Sequence, residues 1–498
     1  MKFWYGAAFV AALPLLSPPQ RPNDPVQSNV PVLTVDQAIS IAETNAFTLR
    51  TAASGVELAH QQVLAAKGGL GPQLTSNLTY TQVIDHSSLG GGSTTGTTST
   101  TTGTTATTTG TTATTTGTTS TTTGTTAATT GTVSGLTGTS VGSGFNTFSL
   151  ANTQEGTLSF TLPIDISGTI RSGVRSAKAA YMASRQNFAA ADNNLRQTVR
   201  NAYFTILGDK AQLTVAQDTV QNAQDTLKNA QLKLTAGTLA RYDVLQYQTQ
   251  LSQAQSDLIT AQNNLEVAKE NFNDVLARPI DTAFEVQDIE TLPTVTRGAN
   301  DLTKAALANR PDALALQSTI ESFKYSAKAT EASMDPSLQL GAQHLRIFYP
   351  GTANTAFSEN SAFLSLNIPL FDSGITRAKV KEIHQQEEQS RIQLDQLKLS
   401  ISLEVRQDLS NLQSAQAKLD VAQKQVEQAA EAYRLAVVRA NAGESTTLDV
   451  TNAQTQLTTA KTGLVNARYA YLIDYAALQR AIDEDGAKVP PIVAPRAR

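Results

Sequence analysis

The sequence predicts a mixed α/β fold, an internally duplicated protomer in which long coiled-coil helices alternate with four short strands. Three observations carry that reading. One segment pattern occurs twice at a fixed offset, heptads of Leu, Val and Ala run through both copies, and four stretches switch to a period of two.

The duplication sets the frame. Leu158-Ser159-Phe160-Thr161-Leu162-Pro163-Ile164 aligns with Leu364-Ser365-Leu366-Asn367-Ile368-Pro369-Leu370 at an offset of 206. The same offset lays Ser167-Gly168 on Ser373-Gly374, Arg171 on Arg377, Ala236-Gly237 on Ala442-Gly443, and Asp243-Val244 on Asp449-Val450. Upstream, Pro72 and Leu74 match Pro336 and Leu338 at an offset of 264. The 58 residues by which the offsets differ are a Thr/Gly tract from about Gly90 to Gly144, too low in complexity to pack. The chain accordingly divides into a signal peptide (1–17), a Pro-rich segment (18–32) and a first repeat (33–278) with a Thr/Gly-rich loop (84–155). A linker (279–300), a second repeat (301–484) and a tail (485–498) follow.

The first segment is read from Lys2 and the apolar run Phe3 to Leu16, which has the form of a secretory signal. It is shorter than the ~20 residues a spanning helix needs. No later stretch is apolar enough to span as a helix.

The helical limbs come next. Ile206, Leu213, Val220, Leu227 and Leu234 recur at strict sevens, with Ala216, Ala223 and Ala230 beside them. The second copy repeats this with Leu412, Leu419, Val426 and Tyr433 beside Ala415, Ala422, Ala429 and Ala436. After each Ala-Gly break the heptad resumes, at Val244, Leu251, Leu258, Leu265 and Phe272, and at Val450, Leu457, Leu464, Tyr471 and Leu478. A strict sevenfold stripe keeps facing its neighbour only in a left-handed supercoil, and the Ala seam lets the helices approach closely. Each copy should also open with one helical segment, Thr34–Lys67 and Asp301–Ser333. Opening segment plus short limb nearly equals the long limb, which argues for a helical cylinder of uniform length.

The strands lie between these limbs. Leu74, Ser76, Leu78 and Tyr80 alternate with Thr75, Asn77 and Thr79; Leu158, Phe160, Leu162 and Ile164 alternate with Ser159 and Thr161. Leu338, Leu340 and Ala342 alternate with Gln339 and Gly341; Leu364, Leu366 and Ile368 alternate with Ser365 and Asn367. One apolar and one polar face suit a strand between lipid and water, or a half-buried soluble hairpin. Four strands cannot close a barrel, and lipid tolerates no open edge. Membranous strands must therefore be pooled by several chains into a shared transmembrane β-barrel, continued by an α-barrel of their helices.

Composition excludes other classes. A net charge of −4 argues against nucleic acid, and the absence of Cys removes disulfides, thiolate metal sites and a lipidated N-terminal Cys. His60, His86, His344 and His384 show no metal-ligand spacing, and no phosphate-binding glycine loop or Gly-x-Ser-x-Gly motif occurs. No enzyme, cofactor or metal site is expected. A flagellin-like secreted coiled-coil structural protein shares the few aromatics and the Thr/Gly-rich middle, but needs neither a signal segment nor an in-register duplication.

In order, these motifs resemble the TolC-like outer-membrane efflux channels. The resemblance runs from about Leu33 to Glu484, without the Thr-rich tract. It rests on Asn309-Arg310-Pro311-Asp312, the Pro-x-x-x-Ser-Gly entries at Pro163–Gly168 and Pro369–Gly374, the Ala-Gly tips followed by Asp-Val, and Asn466-Ala467-Arg468-Tyr469-Ala470-Tyr471-Leu472-Ile473. It implies a homotrimer in outer-membrane lipid, extending into the periplasm. It also implies a periplasmic adaptor (membrane fusion) protein and an inner-membrane transporter as partners, in tripartite efflux or type I secretion. The conduit would be passive and gated at its helical tips.

The same resemblance points to the working residues. Asp449 stands where family members place an acidic ring, with Asn452 and Asp243 as companion candidates for the pore constriction. Ser445 occupies the position of a basic latch in some members. Ala236, Gly237, Ala442 and Gly443 mark the helix tips and the expected adaptor contact. Thr446 and Asp449 also have the spacing of a helix capping box, so Asp449 is equally a candidate cap.

Overall fold

The computed structural model describes residues 31–81, 153–289, 291–348, 356–442 and 444–483. The signal segment, the Thr/Gly tract, Gly443 and the C-terminal tail lie outside them. The described chain forms two compact units. A helical unit takes in the residues up to Pro72, Leu162–Leu340 and those from Leu364 on, and a sheet unit takes in Gln73–Thr161 and Gly341–Phe363.

In the helical unit, α1 (Val35–Asn45) and α2 (Phe47–Gly68) precede the long α3 (Thr169–Thr235), which turns into α4 (Arg241–Val275). The second repeat follows the same plan with α5 (Ala299–Asn309), α6 (Pro311–Glu331), α7 (Ile375–Asn441) and α8 (Thr447–Ile482). The helices α3 and α7 are each 67 residues long, about 100 Å at 1.5 Å per residue. Both start on a left-handed glycine, Gly168 (φ 77°) and Gly374 (φ 82°), a conformation that costs other residues steric energy. A preceding carboxylate takes up the free amides. Asp165 accepts from the N–H of Ile170 (3.2 Å) and Arg171 (2.9 Å), and Asp372 from Gly374 (2.9 Å) and Thr376 (2.7 Å). These acids are one position out of register between the repeats, so the capping function is repeated although the sequence is not.

The heptad residues form the hairpin cores. Val220, Ala223 and Ala254 cluster with Leu251 and Leu258, and Ala230, Val244 and Tyr247 with Leu227 and Leu234. In the second hairpin Leu412, Ala415, Leu419, Ala422, Val450 and Leu457 are buried.

The opening segments differ from expectation: each is two helices, not one. The breaks fall at the equivalent residues Ala46 (ψ 128°) and Arg310 (ψ 123°). At Arg310 the cause is Pro311, whose ring pushes the preceding residue out of the helical region. Arg310 is buried, pairing with Asp312 at 2.7 Å and with Glu404 of α7, which also receives Arg480 of α8. The Glu404 carboxylate, shared by two guanidinium groups, thus ties the break to both α7 and α8. The first repeat has Ala46 there, itself buried.

The segment read as a linker is strapped down. Its strand β4 (Glu285–Val286) pairs in parallel with β1 (Val32–Leu33), and the Tyr203 hydroxyl donates to the carbonyls of Leu33 (2.9 Å) and Gln287 (2.7 Å). Further on, Arg468 of α8 donates to the Ile289 carbonyl and Tyr471 to that of Pro293. The Arg468-Tyr469-Ala470-Tyr471 motif is therefore the clamp that holds this strap. Strands of two residues carry no readable period, so sequence reasoning missed β1 and β4.

The sheet unit has the order β2 (Gln73–Thr81), β3 (Thr153–Ile164), β5 (Ser337–Phe348) and β6 (Ala356–Asn367). The loop assigned to 84–155 overruns this fold by three residues, since β3 begins at Thr153. β2 and β3 are antiparallel from Gln73↔Thr161 to Thr81↔Thr153. That register sets Leu74 opposite Phe160 on one face, and Thr75 opposite Ser159 and Asn77 opposite Thr157 on the other. Apolar side chains stand in the open: Leu74 is 67% exposed, Leu78 85% and Leu364 65%. Among the described residues, β2 and β6 have no outer neighbour.

Candidate functional site: the hairpin tips

At the first tip α3 ends through Ala236 into Gly237, whose φ of 74° reverses the chain. The amide of Gly237 donates to the Leu234 carbonyl (3.0 Å) and that of Thr238 to Lys233 (2.9 Å), a glycine-dependent helix stop. At the second tip Glu444 donates to the Arg439 carbonyl at 2.9 Å, the equivalent of the Thr238 bond. Ala442 caps α7, and Gly443 lies outside the described residues.

The helices that leave the tips begin differently. In α8, Thr446 is the N-cap and Asp449 closes a capping box with it. Oδ2 of Asp449 accepts from the Thr446 amide (2.9 Å), the Thr446 hydroxyl (2.8 Å) and the Ser445 hydroxyl (2.9 Å). These bonds, the Thr446 amide first, hold the carboxyl below the usual carboxylate range, so it is ionised wherever the protein is folded near neutrality. Ser445, standing at the latch position, is one of the donors. In α4 the N-cap is Ala240, which has no capping side chain, and Asp243 sits half-buried in the first turn. Asn452 is exposed one turn beyond Asp449. Asp449 therefore has the geometry of a cap while its side chain remains at the surface.

Between the two hairpins runs a polar seam that sequence reasoning did not find. Lys233, on the last turn of α3, donates to the Ala440 carbonyl (3.2 Å) and to Asn441 Oδ1 (3.1 Å) at the end of α7. A cation at a helix C-terminus is favoured by the dipole. Away from the tips, Gln250 of α4 donates to Gln454 of α8 (3.0 Å), Thr219 of α3 meets Thr458 (3.3 Å), and Lys461 pairs with Asp218 (3.1 Å). Gln454 is buried and its Nε2 has no hydrogen-bond partner. Each hairpin is held internally by apolar heptads; these polar pairs join the hairpins in their tip-proximal part, while farther from the tips Tyr469, Leu472 and Ala476 of α8 pack with Val199, Phe204 and Leu207 of α3 in an apolar core. Partners more than 200 residues apart leave no local signal; the only hint is Lys233 as the single cation in the last turn of α3.

Among the described residues no cluster of three or more His, Cys, Asp or Glu side chains could hold a metal, and no helix is long and apolar enough to cross a membrane.

Open-edged strands with an apolar face, doubled long hairpins and paired tips have counterparts in known proteins. The chain resembles the outer membrane efflux protein BepC of Brucella suis, 24% identical over 316 residues that cover 62% of this chain and 68% of that protein. It also resembles the pyoverdine export outer membrane protein OpmQ of Pseudomonas putida, 24% identical over 66% of this chain and 70% of that one. Among solved structures, the outer membrane protein VceC of Vibrio cholerae superposes with a TM-score of 0.67 at 16% identity, covering 90% of this chain and 95% of the other. That fold removes the flagellin-like alternative, which has no place for a sheet to which each repeat adds two strands beside a long helical hairpin. The family model of the outer membrane efflux proteins matches residues 38–278 and 302–484, both repeats almost end to end; the chain belongs to that family and is a TolC-like outer-membrane channel protein reaching into the periplasm.

Proposed function

We propose that this chain is a passive conduit with no chemistry of its own, built from three copies and completed by a periplasmic adaptor and an inner-membrane transporter. One observation carries the assembly: the sheet exposes an apolar face and, among the described residues, leaves the outer edges of β2 and β6 open. In lipid each open edge strands a row of backbone groups at several kcal/mol apiece, a cost removed when β6 of one copy pairs with β2 of the next. The membership in the family supports the partners, and the resemblance supports the number three.

The tips are the moving part in this reading. Asp449, with Asn452 and Asp243, lines the constriction, and Ala236, Gly237, Ala442 and Gly443 meet the adaptor. Energy and choice of cargo come from the transporter. The relatives support this division of labour, since one is named for efflux in general and another for pyoverdine export on the same fold.

The test is fractionation. The mature protein should remain with outer membranes through salt and carbonate washes, and run as an oligomer that boiling converts to monomer. Recovery as a soluble periplasmic monomer would remove the conduit reading.

A further inference from the structure

The strands β5 and β6 keep one register where their side chains meet. His344 Nδ1 donates to Asn360 Oδ1 at 2.7 Å, and the Phe363 ring covers Gly341. The two pairs lie three residues apart on each strand, in opposite directions, so the same register sets Arg346 opposite Ser358. By the alternation of the pleat, His344, Arg346, Ser358 and Asn360 share the apolar face with Leu340, Leu364 and Leu366. His344 and Arg346 are exposed, whereas Gln343, Leu345 and Ile347, which point the other way, are half-buried.

The charges of the sheet divide by face. Among the described strand residues, Arg346 is the one side chain of fixed charge on the apolar face, and both carboxylates, Glu155 and Glu359, fall on the other. A cation on a lipid-facing strand is costly at mid-membrane and tolerated near the rim. Arg346 lies at the end of β5 remote along the chain from α6, hence the outer end in a channel whose helices reach into the periplasm. Tyr80, 57% exposed, follows Leu78 on the same face, an aromatic suited to the boundary of lipid and water. A methyl group built on Gly156 would lie 3.6 Å from Leu78 and 3.9 Å from the Arg346 carbonyl, so β3 presents bare backbone between those two residues. Arg346 thus has an uncovered strand on one side and the Ser358 hydroxyl on the other. Two residues along, the His344 bond occupies the oxygen of Asn360 and leaves its Nδ2 donors for another acceptor.

We propose that Arg346, Ser358 and Asn360 form a site for the phosphate of an outer-leaflet lipid headgroup, one site per copy on the lipid side of the sheet. The guanidinium supplies a planar fork of N–H donors, the serine a hydroxyl and the asparagine an amide, and a phosphate has oxygens enough to accept from all three. The signs agree: the headgroup meets the one cation of the apolar face, and Glu155 and Glu359 keep to the water side. The inference rests on the conduit reading, because only strands set in a membrane bring this face to a headgroup.

The test is native mass spectrometry of the full-length oligomer in detergent, titrated with diphosphoryl lipid A and with the same lipid stripped of its phosphates. The unaltered chain should retain the phosphorylated lipid, up to one per copy, and not the stripped one. Arg346→Gln should weaken retention roughly tenfold, the scale of one lost charge-assisted contact, and Arg346→Lys should weaken it less. Ser358→Asp sets a carboxylate against an intact Arg346 and should weaken retention as much, which keeps the test decisive where Arg346→Gln does not assemble. Inorganic phosphate in the same buffer should leave the lipid in place; displacement by it would overturn a lipid site. Retention unchanged in these variants, or equal for the stripped lipid, would overturn the site and leave the conduit standing so long as the heat-modifiable oligomer forms. A chain that forms no oligomer and leaves the membrane on carbonate washing would overturn both.

Discussion

Thr446 and Asp449 cap each other across the first turn of α8: the threonine amide and hydroxyl both donate to Asp449 Oδ2, and the Asp449 amide faces the threonine oxygen at 3.3 Å. The equivalent turn of α4 has Ala240 and Asp243 and no such exchange. The two tips therefore start from unequal local stability. Thr446→Ala should remove one side of the box at a cost of about 1 kcal/mol, speeding amide exchange in the first turn of α8 roughly fivefold with the oligomer intact. Equal exchange before and after the substitution would show that neighbouring contacts, not the box, hold the turn.

The charge on Asp449 can be separated from its capping role. Asn retains an acceptor oxygen for Thr446, so Asp449→Asn should leave assembly intact while removing one negative charge per copy. If the tips line the constriction, planar-bilayer recordings should show lower cation selectivity and weaker block by divalent ions, because like charges in a narrow passage are poorly screened. A variant with unaltered selectivity but a frayed α8 would assign Asp449 to the cap alone.

Gly341 of β5 is fixed by what lies over it. A methyl group built there would meet the Phe363 ring of β6 at 2.2 Å, so the ring can cover the strand only above a bare backbone. Gly341→Val should prevent β5 and β6 from pairing as they do and sharply lower the yield of heat-modifiable oligomer. Adding Phe363→Ala should restore much of it. Failure of that second change to rescue would mean that the backbone freedom of Gly341, rather than the ring, is what the site requires.

The period-bearing parts of this molecule were legible in the sequence and the contact-bearing parts were not. Heptads from Ile206 to Leu234 located α3 because burial recurs every seventh residue, and alternation from Leu74 to Tyr80 located β2 because strand side chains change face at each step. The break at Arg310 was visible in Pro311; its equivalent at Ala46 was not, since Phe47 has no ring closed on its nitrogen. Arg310, Glu404 and Arg480 converge from three helices. Lys233 finds Asn441 only because the hairpins lie side by side. Such pairs are set by tertiary packing, and no local spacing announces them. The cap at Asp449 was one of two sequence readings, and its distances now give that role a geometry.

The connection between β2 and β3 should tolerate shortening. The second repeat joins β5 to β6 through residues 349–355 alone, so a short connection meets the needs of an equivalent hairpin. Deleting residues 90–144 should leave the oligomer and its export activity at the level of the intact chain. Loss of the heat-modifiable band after that deletion would give the Thr/Gly tract a structural role.

The buried charges of the second repeat predict how stability follows pH. Asp408 on α7 is half-buried, and its pKa is pushed up to about 6, first by burial and then by the neighbouring Glu404; Arg480 opposes the shift, Asp474 adds to it, and Arg310 opposes it again. A carboxyl whose folded pKa lies above its unfolded value near 3.8 favours the folded state fully below the unfolded pKa. That contribution is lost as pH rises through about 6. At pH 7.5 the charged group therefore opposes folding, by on the order of 1–2 kcal/mol once solvent screening of a half-buried group is allowed for. Asp408→Asn should raise the temperature at which the oligomer dissociates at pH 7.5, and the gain should shrink through pH 6 and vanish near pH 4. A gain that persists unchanged at pH 4 would point to packing or hydrogen bonding by the amide rather than to the charge. The reverse substitution at the partner, Arg480→Gln, removes a cation that lowers this pKa and should move the whole transition to higher pH.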